Sequence, residues 1–195
     1  MISAVVGFLA GSLHVLSGPD HLAAVAPLAL EGRRRAWLTG FRWGVGHACG
    51  VGLVGFFALL LRGVLPIDWL SSWSERLVGV VLVGIGLWGF HRAFGKRVHS
   101  HVHLRAAVAV GTIHGLAGSS HLLGVLPALA FPSKAEAVAY LVAFGAGTIL
   151  AMASFSSVIG WAATKFAVER AKVYRGLLCG FSAAAIVVGS VWLVL

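Results

Sequence analysis

Gly11-Ser-Leu-His14-Val-Leu-Ser17-Gly18-Pro19-Asp20-His21-Leu22-Ala-Ala-Val25-Ala-Pro27 recurs without gaps, 100 residues later, as Gly111-Thr-Ile-His114-Gly-Leu-Ala-Gly118-Ser119-Ser120-His121-Leu122-Leu-Gly-Val125-Leu-Pro127. Two glycines, two histidines, two leucines, a valine and a proline coincide in register. Chance likeness between glycine- and leucine-rich segments does not readily align two histidines and a proline, so the chain reads as an internal duplication. A fainter echo pairs Gly44-Val-Gly46-His47 with Gly145-Ala-Gly147-Thr148. Within the first copy, Ser17 to His21 has the pattern of a helix that stops and restarts. Ser17 or Gly18 caps, and Pro19 suits the first helical position, where a missing N–H is no loss.

The surroundings of this motif are apolar. The chain has 195 residues, 59% hydrophobic and 11% charged, with a mean hydropathy of +0.94. Soluble domains run at about 45–50% apolar and about 25% charged. A soluble core of this size would leave large apolar patches in water, whereas lipid accepts them. Six segments approach the ~20 apolar residues that a bilayer core requires: 2–30, 36–61, 77–94, 106–131, 136–164 and 173–195. The first, fourth and fifth are long enough to be tilted or broken. The N-terminal stretch lacks a charged leader and is expected to be the first span, not a cleaved signal peptide. Three spans per half is an odd number, so the halves insert with opposite orientation. The expected fold is therefore an all-α integral membrane protein, with six transmembrane helices as two inverted three-helix repeats. The first and fourth helices are interrupted. Residues 1–195 form a single transmembrane domain, with halves of approximately 1–94 and 106–195 and a histidine-containing cytoplasmic loop at 95–105.

Charge placement agrees with a membrane reading. The net charge of +9 and pI near 10.9 would suggest nucleic acid in a soluble protein, but here the basic residues lie between apolar spans. The loops after spans one, three and five hold eleven of them: Arg33, Arg34, Arg35, Arg92, Lys96, Arg97, Arg105, Lys165, Arg170, Lys172 and Arg175. The loops after spans two and four hold three, Arg62, Arg76 and Lys134, with Arg42 set within span two. The positive-inside rule puts the first group in the cytoplasm and both termini outside, in what is expected to be a bacterial inner membrane. Cys49 and Cys179 share no close spacing, which excludes a CxxC redox motif and a cysteine-based zinc knuckle.

Asp20 is the one acidic residue inside a span; Glu31, Asp68, Glu75, Glu136 and Glu169 fall in loops or at span ends. A carboxylate near mid-bilayer costs about 2.5–3.5 kcal/mol on insertion scales, so it must be paired, hydrated or coordinated. A hydrogen bond to a neighbouring helix is the plain alternative. His14 and His21 are seven apart, on one face of a continuous helix, and His114 and His121 repeat that pair. His47 lies among glycines that permit close helix approach. One intramembrane histidine reads as packing. Five in pseudo-symmetric places, with one carboxylate, read as a metal site of His14, Asp20, His21, His47, His114 and His121. Asp20 would also offset the positive dipole end of the restarted helix, and carbonyls freed at the break are natural cation ligands. Imidazole plus carboxylate suits nickel, cobalt, zinc, copper or iron, and without a thiolate pair or methionine cluster copper(I) is disfavoured. His99, His101 and His103 alternate as in metal-gathering segments. Arg92, Lys96, Arg97 and Arg105 beside them would repel a cation, and an ordinary hydrated loop stays open.

At His14-Val-Leu-Ser-Gly-Pro-Asp20-His21-Leu, Gly44-Val-Gly-His47 and His114 through His121, the sequence resembles the nickel/cobalt transporter superfamily, most closely its UreH-like, urease-accessory-type branch. The likeness extends over nearly the whole chain through the six-span, two-half pattern. It implies transition-metal movement across the membrane, with His14, Asp20 and His21 as the site. The better-known nickel permeases have four residues between the first histidine and the Asp-His pair, and usually eight spans; here five residues intervene, Val15 to Pro19. The ligand set and the metal therefore stay open. The expected function is a secondary transporter for a divalent transition metal, nickel or cobalt first, with zinc and manganese open. It is not expected to be an enzyme or to keep a permanent cofactor. Its partners are the metal ion and the lipid bilayer, with a second copy of the chain or a metallochaperone open, and no nucleic acid. Histidine protonation offers a route to proton coupling, and no GxxxxGK[ST] motif is present for ATP. The competing readings are a haem-binding membrane redox protein, through paired axial histidines, and a non-transporting accessory subunit of a metal uptake system.

Overall fold

The helix break forms at Gly18. In the computed structural model, which describes residues 1–60, 67–95, 104–116, 124, 127, 128, 130–167 and 171–194, helix α1 (Ile2–Ser17) ends and α2 (Pro19–Gly32) begins around this one residue. Gly18 is extended, with φ −82° and ψ 108°. Its N–H donates to the His14 carbonyl at 3.2 Å, and its carbonyl accepts the Leu22 N–H at 3.3 Å. Pro19 occupies the first helical position, where no N–H is needed. Ser17 makes no cap; its hydroxyl turns back to the Leu13 carbonyl at 2.7 Å. The chain direction changes by 73° between Ile2–Ser17 and the run Pro19–Phe56.

After α2, a single 3-10 turn (Arg33–Arg35) leads into α3 (Ala36–Leu60). Then follow α4 (Ile67–Phe94), α5 (Leu104–Leu116), α6 (Lys134–Ala167) and α7 (Ala171–Val194). No strand occurs among the described residues. The two halves of the broken helix are buried differently. On α1 only Ser3, Gly7, Gly11 and Val15, one residue per turn, are buried. On α2 Asp20, His21, Ala23 to Pro27, Ala29 and Leu30 are buried, so this short helix is covered on nearly every side. A helix apolar all round belongs inside a protein, and α2 sits against α3, α4, α6 and α7.

The outer surface is apolar, as lipid requires. Val5, Leu9, Leu13, Trp37, Leu53, Leu87, Val142, Val158 and Val187 all face outward. Segments Glu75–Phe94, Lys134–Lys165 and Lys172–Val194 are each long and apolar enough to cross a membrane, and the bent α1 unit makes a fourth if counted as one span. The interruption expected in the fourth span, at 117–121, lies outside the described residues.

The long helices pair in a regular way. α1 lies along α6, α3 along α5, α4 along α7, and α3 also along α6. Glycines carry these approaches, because a Cβ would strike the neighbouring backbone. A Cβ on Gly11 would overlap the Phe144 carbonyl, and one on Gly111 the Trp43 carbonyl. Likewise Gly147 faces the Phe8 carbonyl and Gly46 the Val108 carbonyl. Each pair becomes the other on exchanging the halves, with Gly11/Gly111 and Phe8/Val108 at an offset of 100 and Trp43/Phe144 and Gly46/Gly147 at the 101 of the fainter Gly44/Gly145 echo. Gly79 and Gly189 face each other's carbonyls reciprocally, 2.8 Å from an added Cβ in both directions.

One end of the bundle is tied by a polar clasp. Arg92 of α4 donates to Glu31 Oε2 of α2 at 2.8 Å, and the Tyr174 hydroxyl of α7 donates to Glu31 Oε1 at 2.8 Å. The Arg33 guanidinium stands over the Tyr174 ring at 5.8 Å. Removing the cation leaves a mostly buried carboxylate, which costs about 1–3 kcal/mol. Arg92→Met is therefore expected to lower thermal stability in detergent by that amount, and adding Glu31→Gln should recover part of it. Thermal unfolding of the two single variants and the double variant measures the coupling.

Candidate metal centre

The break at Gly18 is what assembles the site. His14 is in the last turn of α1, and Asp20 and His21 are in the first turn of α2. The seven-residue spacing brings the two imidazoles together across a turn of the chain, not along a continuous helix face. Their ring centroids are 4.8 Å apart and edge to face. α3 supplies His47, 5.0 Å from His21 and 5.7 Å from His14. One ligand nitrogen from each of His14, His21 and His47 lies within 4.8 Å of the others. Two nitrogens bound to one tetrahedral ion at about 2.0–2.1 Å each stand roughly 3.3 Å apart. A small inward movement therefore closes the three rings on an ion.

Asp20 is buried, at 6% exposure, and its Oδ1 lies 3.1 Å from Nδ1 of His21. It is not in the converging donor set. A carboxylate in that place holds the His21 ring and leaves Nε2 for a ligand, the usual arrangement behind a metal-bound histidine. It also puts one negative charge beside the positive end of α2. Two carbonyls at the end of α1 are already engaged: Leu13 accepts from the Ser17 hydroxyl, and His14 accepts from Gly18 N–H.

His114 of α5 is fully buried. Its Nδ1 lies 3.1 Å from the Val110 carbonyl, which can only accept, so Nδ1 carries the proton. Nε2 is then an acceptor, and it has no hydrogen-bond partner among the described residues. The ring is 6.1 Å from His21 and outside the three-histidine group. His121 and the alternating His99, His101 and His103 lie outside the described residues.

The sequence reading missed Trp43. This residue is wholly buried, stacks on His47 at 4.9 Å with 10° between planes, and lies 5.6 Å from both His21 and His114. Its signal was available, since Trp43 and His47 are four apart and share a helix face. Phe144 packs beside His14, with ring centroids 5.6 Å apart.

Gly18 has a spatial role here. Its backbone angles suit any residue, but an added Cβ would overlap His21 Nδ1 and come within 2.9 Å of Asp20 Oδ1. Gly18→Ala is expected to weaken metal binding by about 10–100-fold, the range for losing a partner that orients a ligand, with helix content unchanged. Equilibrium dialysis with nickel and far-UV circular dichroism read the two effects.

A bundle of apolar-faced helices with buried imidazoles and one carboxylate gathered at a helix break defines a helical membrane protein with a metal-type donor set. Comparison with known proteins gives the family. The chain is 32% identical over 176 residues to the urease accessory protein UreH of Bacillus sp. (strain TB-90), covering 80% of this chain and 75% of UreH. The chain belongs to the UreH family. It is also 39% identical over 184 residues to Chloroplast protein FOR GROWTH AND FERTILITY 1, and 38% identical over 177 residues to Chloroplast protein FOR GROWTH AND FERTILITY 2, both of Arabidopsis thaliana. Each of these alignments covers 82% of this chain, which spans about half the length of the plant proteins, 50% and 47%. No family model matches the chain, and no solved structure matches it.

Proposed function

We propose that this protein is a secondary transporter that moves a divalent transition-metal cation, nickel or cobalt first, through a site of His14, His21 and His47 with Asp20 behind His21. The observation that carries the reading is the convergence of three ligand nitrogens within 4.8 Å at a helix break, beside a buried carboxylate. Neutral imidazoles are borderline ligands that suit these ions and also zinc. Burial of the site inside a bundle with an apolar exterior favours passage of an ion over surface storage. Kinship with a urease accessory protein supports nickel in particular.

The architecture that suits this function is six spans in two inverted three-helix repeats, with the ion between them. Two features support it: the long helices pair in a pattern unchanged by exchanging the halves, and the glycine approaches recur between matching positions of the two halves. Rocking of one half against the other exposes such a site to each side in turn. The excess of Arg and Lys after spans one, three and five supports both termini lying outside. The metal is cargo and not a resident cofactor, and the protein is not an enzyme.

The haem reading fits less well. A planar macrocycle has to slide between two axial imidazoles, whereas these rings meet edge to face at 4.8 and 5.0 Å, with Trp43 stacked on the third side. Purified protein reconstituted alone into liposomes should take up radioactive nickel at a rate above empty vesicles. Flux equal to that of empty vesicles, with nickel still bound in detergent, would point to a non-transporting accessory subunit.

A further inference from the structure

Two polar atoms beside the three histidines are unaccounted for. Trp43 and His114 are both at 0% exposure, and neither Trp43 Nε1 nor His114 Nε2 has a hydrogen-bond partner among the described residues. Leaving a buried donor or acceptor unpaired costs about 1–3 kcal/mol each, and lipid offers no water to relieve it. The two atoms are complementary. An indole N–H only donates. His114 Nε2 accepts, because Nδ1 is committed to the Val110 carbonyl. The rings lie 5.6 Å apart and both flank His21, at 5.6 and 6.1 Å. The rings are close enough for one small molecule to reach both, and the two nitrogens do not bond each other.

We propose that Trp43 and His114 hold a single water molecule as the non-protein ligand of the ion, so that the cargo is carried on three imidazoles and one water. Water can serve both atoms and the ion at once. One lone pair accepts from the Trp43 N–H, one hydrogen is donated to His114 Nε2, and the second lone pair faces the ion. An ion acidifies the water it binds, which strengthens the donation to His114. The arrangement explains why His114 is buried near the site and yet outside the converging donors. It also makes Trp43 a positioning residue: its ring fixes His47 by stacking, and its N–H fixes the water. An ion that sheds all its water, or one that keeps a full octahedral shell, is disfavoured here relative to one content with three nitrogens and one oxygen.

The inference rests on the metal site proposed above, and cobalt(II) as probe separates the two. The full-length protein in detergent is loaded with cobalt(II), and its electron paramagnetic resonance is recorded in ordinary and in 17O-enriched water. Broadening in the enriched water is expected. In Trp43→Phe, which keeps an aromatic ring against His47 but removes the N–H, affinity should fall about tenfold and the d–d bands should shift. His114→Ala should shift the same bands in the same direction. If the unaltered protein binds cobalt(II) without 17O broadening, or if Trp43→Phe leaves both affinity and bands unchanged, the water is overturned while the histidine site stands. If the unaltered protein binds no cobalt(II), both readings fall. Circular dichroism of each variant confirms that it is folded, and the 17O measurement needs no variant.

Discussion

Replacing His21 with alanine is expected to remove nickel and cobalt binding altogether, a loss of more than about 100-fold in affinity, with the protein still inserted and folded. His21 is the hub of the cluster: its ring is 4.8 Å from His14, 5.0 Å from His47 and 6.1 Å from His114. Asp20 provides the sharper test, because two roles predict different outcomes. As a metal ligand, its loss would match the loss of His21. As the group that holds His21 Nδ1 at 3.1 Å, it is replaceable in part. Asp20→Asn keeps an acceptor oxygen and loses only the charge, so about tenfold weaker binding is expected. Asp20→Ala loses both and should fall nearer the 100-fold end of the range for such supporting groups. Titration calorimetry in detergent over the three variants gives the order. Equal loss in Asp20→Asn and His21→Ala would make the carboxylate a ligand after all.

Local chemistry was the part of this site most legible in the sequence. Gly18-Pro19 announces a helix restart because proline's missing N–H and glycine's freedom of space have few other uses side by side within an apolar run. The duplication pointed to His14, His21, His114 and His121, and the glycine-rich setting to His47; the structure brings His14, His21, His47 and His114 into one neighbourhood, while His121 lies outside the described residues. What the sequence could not show is how they meet. A continuous helix would have aligned His14 and His21 along one face, whereas the 73° turn folds one over the other. The role of Asp20 was hidden for the same reason. Which neighbour a carboxylate touches depends on a rotamer, and the pattern alone left ligand and hydrogen-bond readings open. Trp43 was passed over because an aromatic residue in an apolar span carries no signal by itself; it matters only through the two rings it meets from other helices. The clasp of Glu31, Arg92 and Tyr174 joins residues 61 and 143 positions apart, beyond any local pattern. Helix ends were also only partly legible. α4 begins at Ile67, ten residues before the apolar run that marked its span, because a helix continues out of the hydrocarbon layer where hydropathy stops recording it.

Substituting alanine for Gly11 or for Gly111 is expected to cost about 3 kcal/mol each, and the near-equality of the two losses is the point. A methyl group on Gly11 strikes the Phe144 carbonyl, and one on Gly111 strikes the Trp43 carbonyl. Neither obstacle is the end of a flexible side chain. Relief requires moving α1 from α6, or α5 from α3, and each shift drags a histidine: His14 lies one turn beyond Gly11, and His114 one turn beyond Gly111. Metal affinity should therefore fall along with stability in both. Gly84→Ala and Gly180→Ala are the controls, since nothing lies within 4 Å of a Cβ at either position. There, alanine's better helix propensity should stabilise by up to about 1 kcal/mol. Thermal unfolding in one detergent across the four variants, with nickel affinity beside it, compares the halves directly. If Gly111→Ala proves as benign as Gly84→Ala while Gly11→Ala unfolds the protein, the halves do not pack as equivalents. The symmetric two-repeat architecture would then lose its physical support, even though the sequence duplication remained.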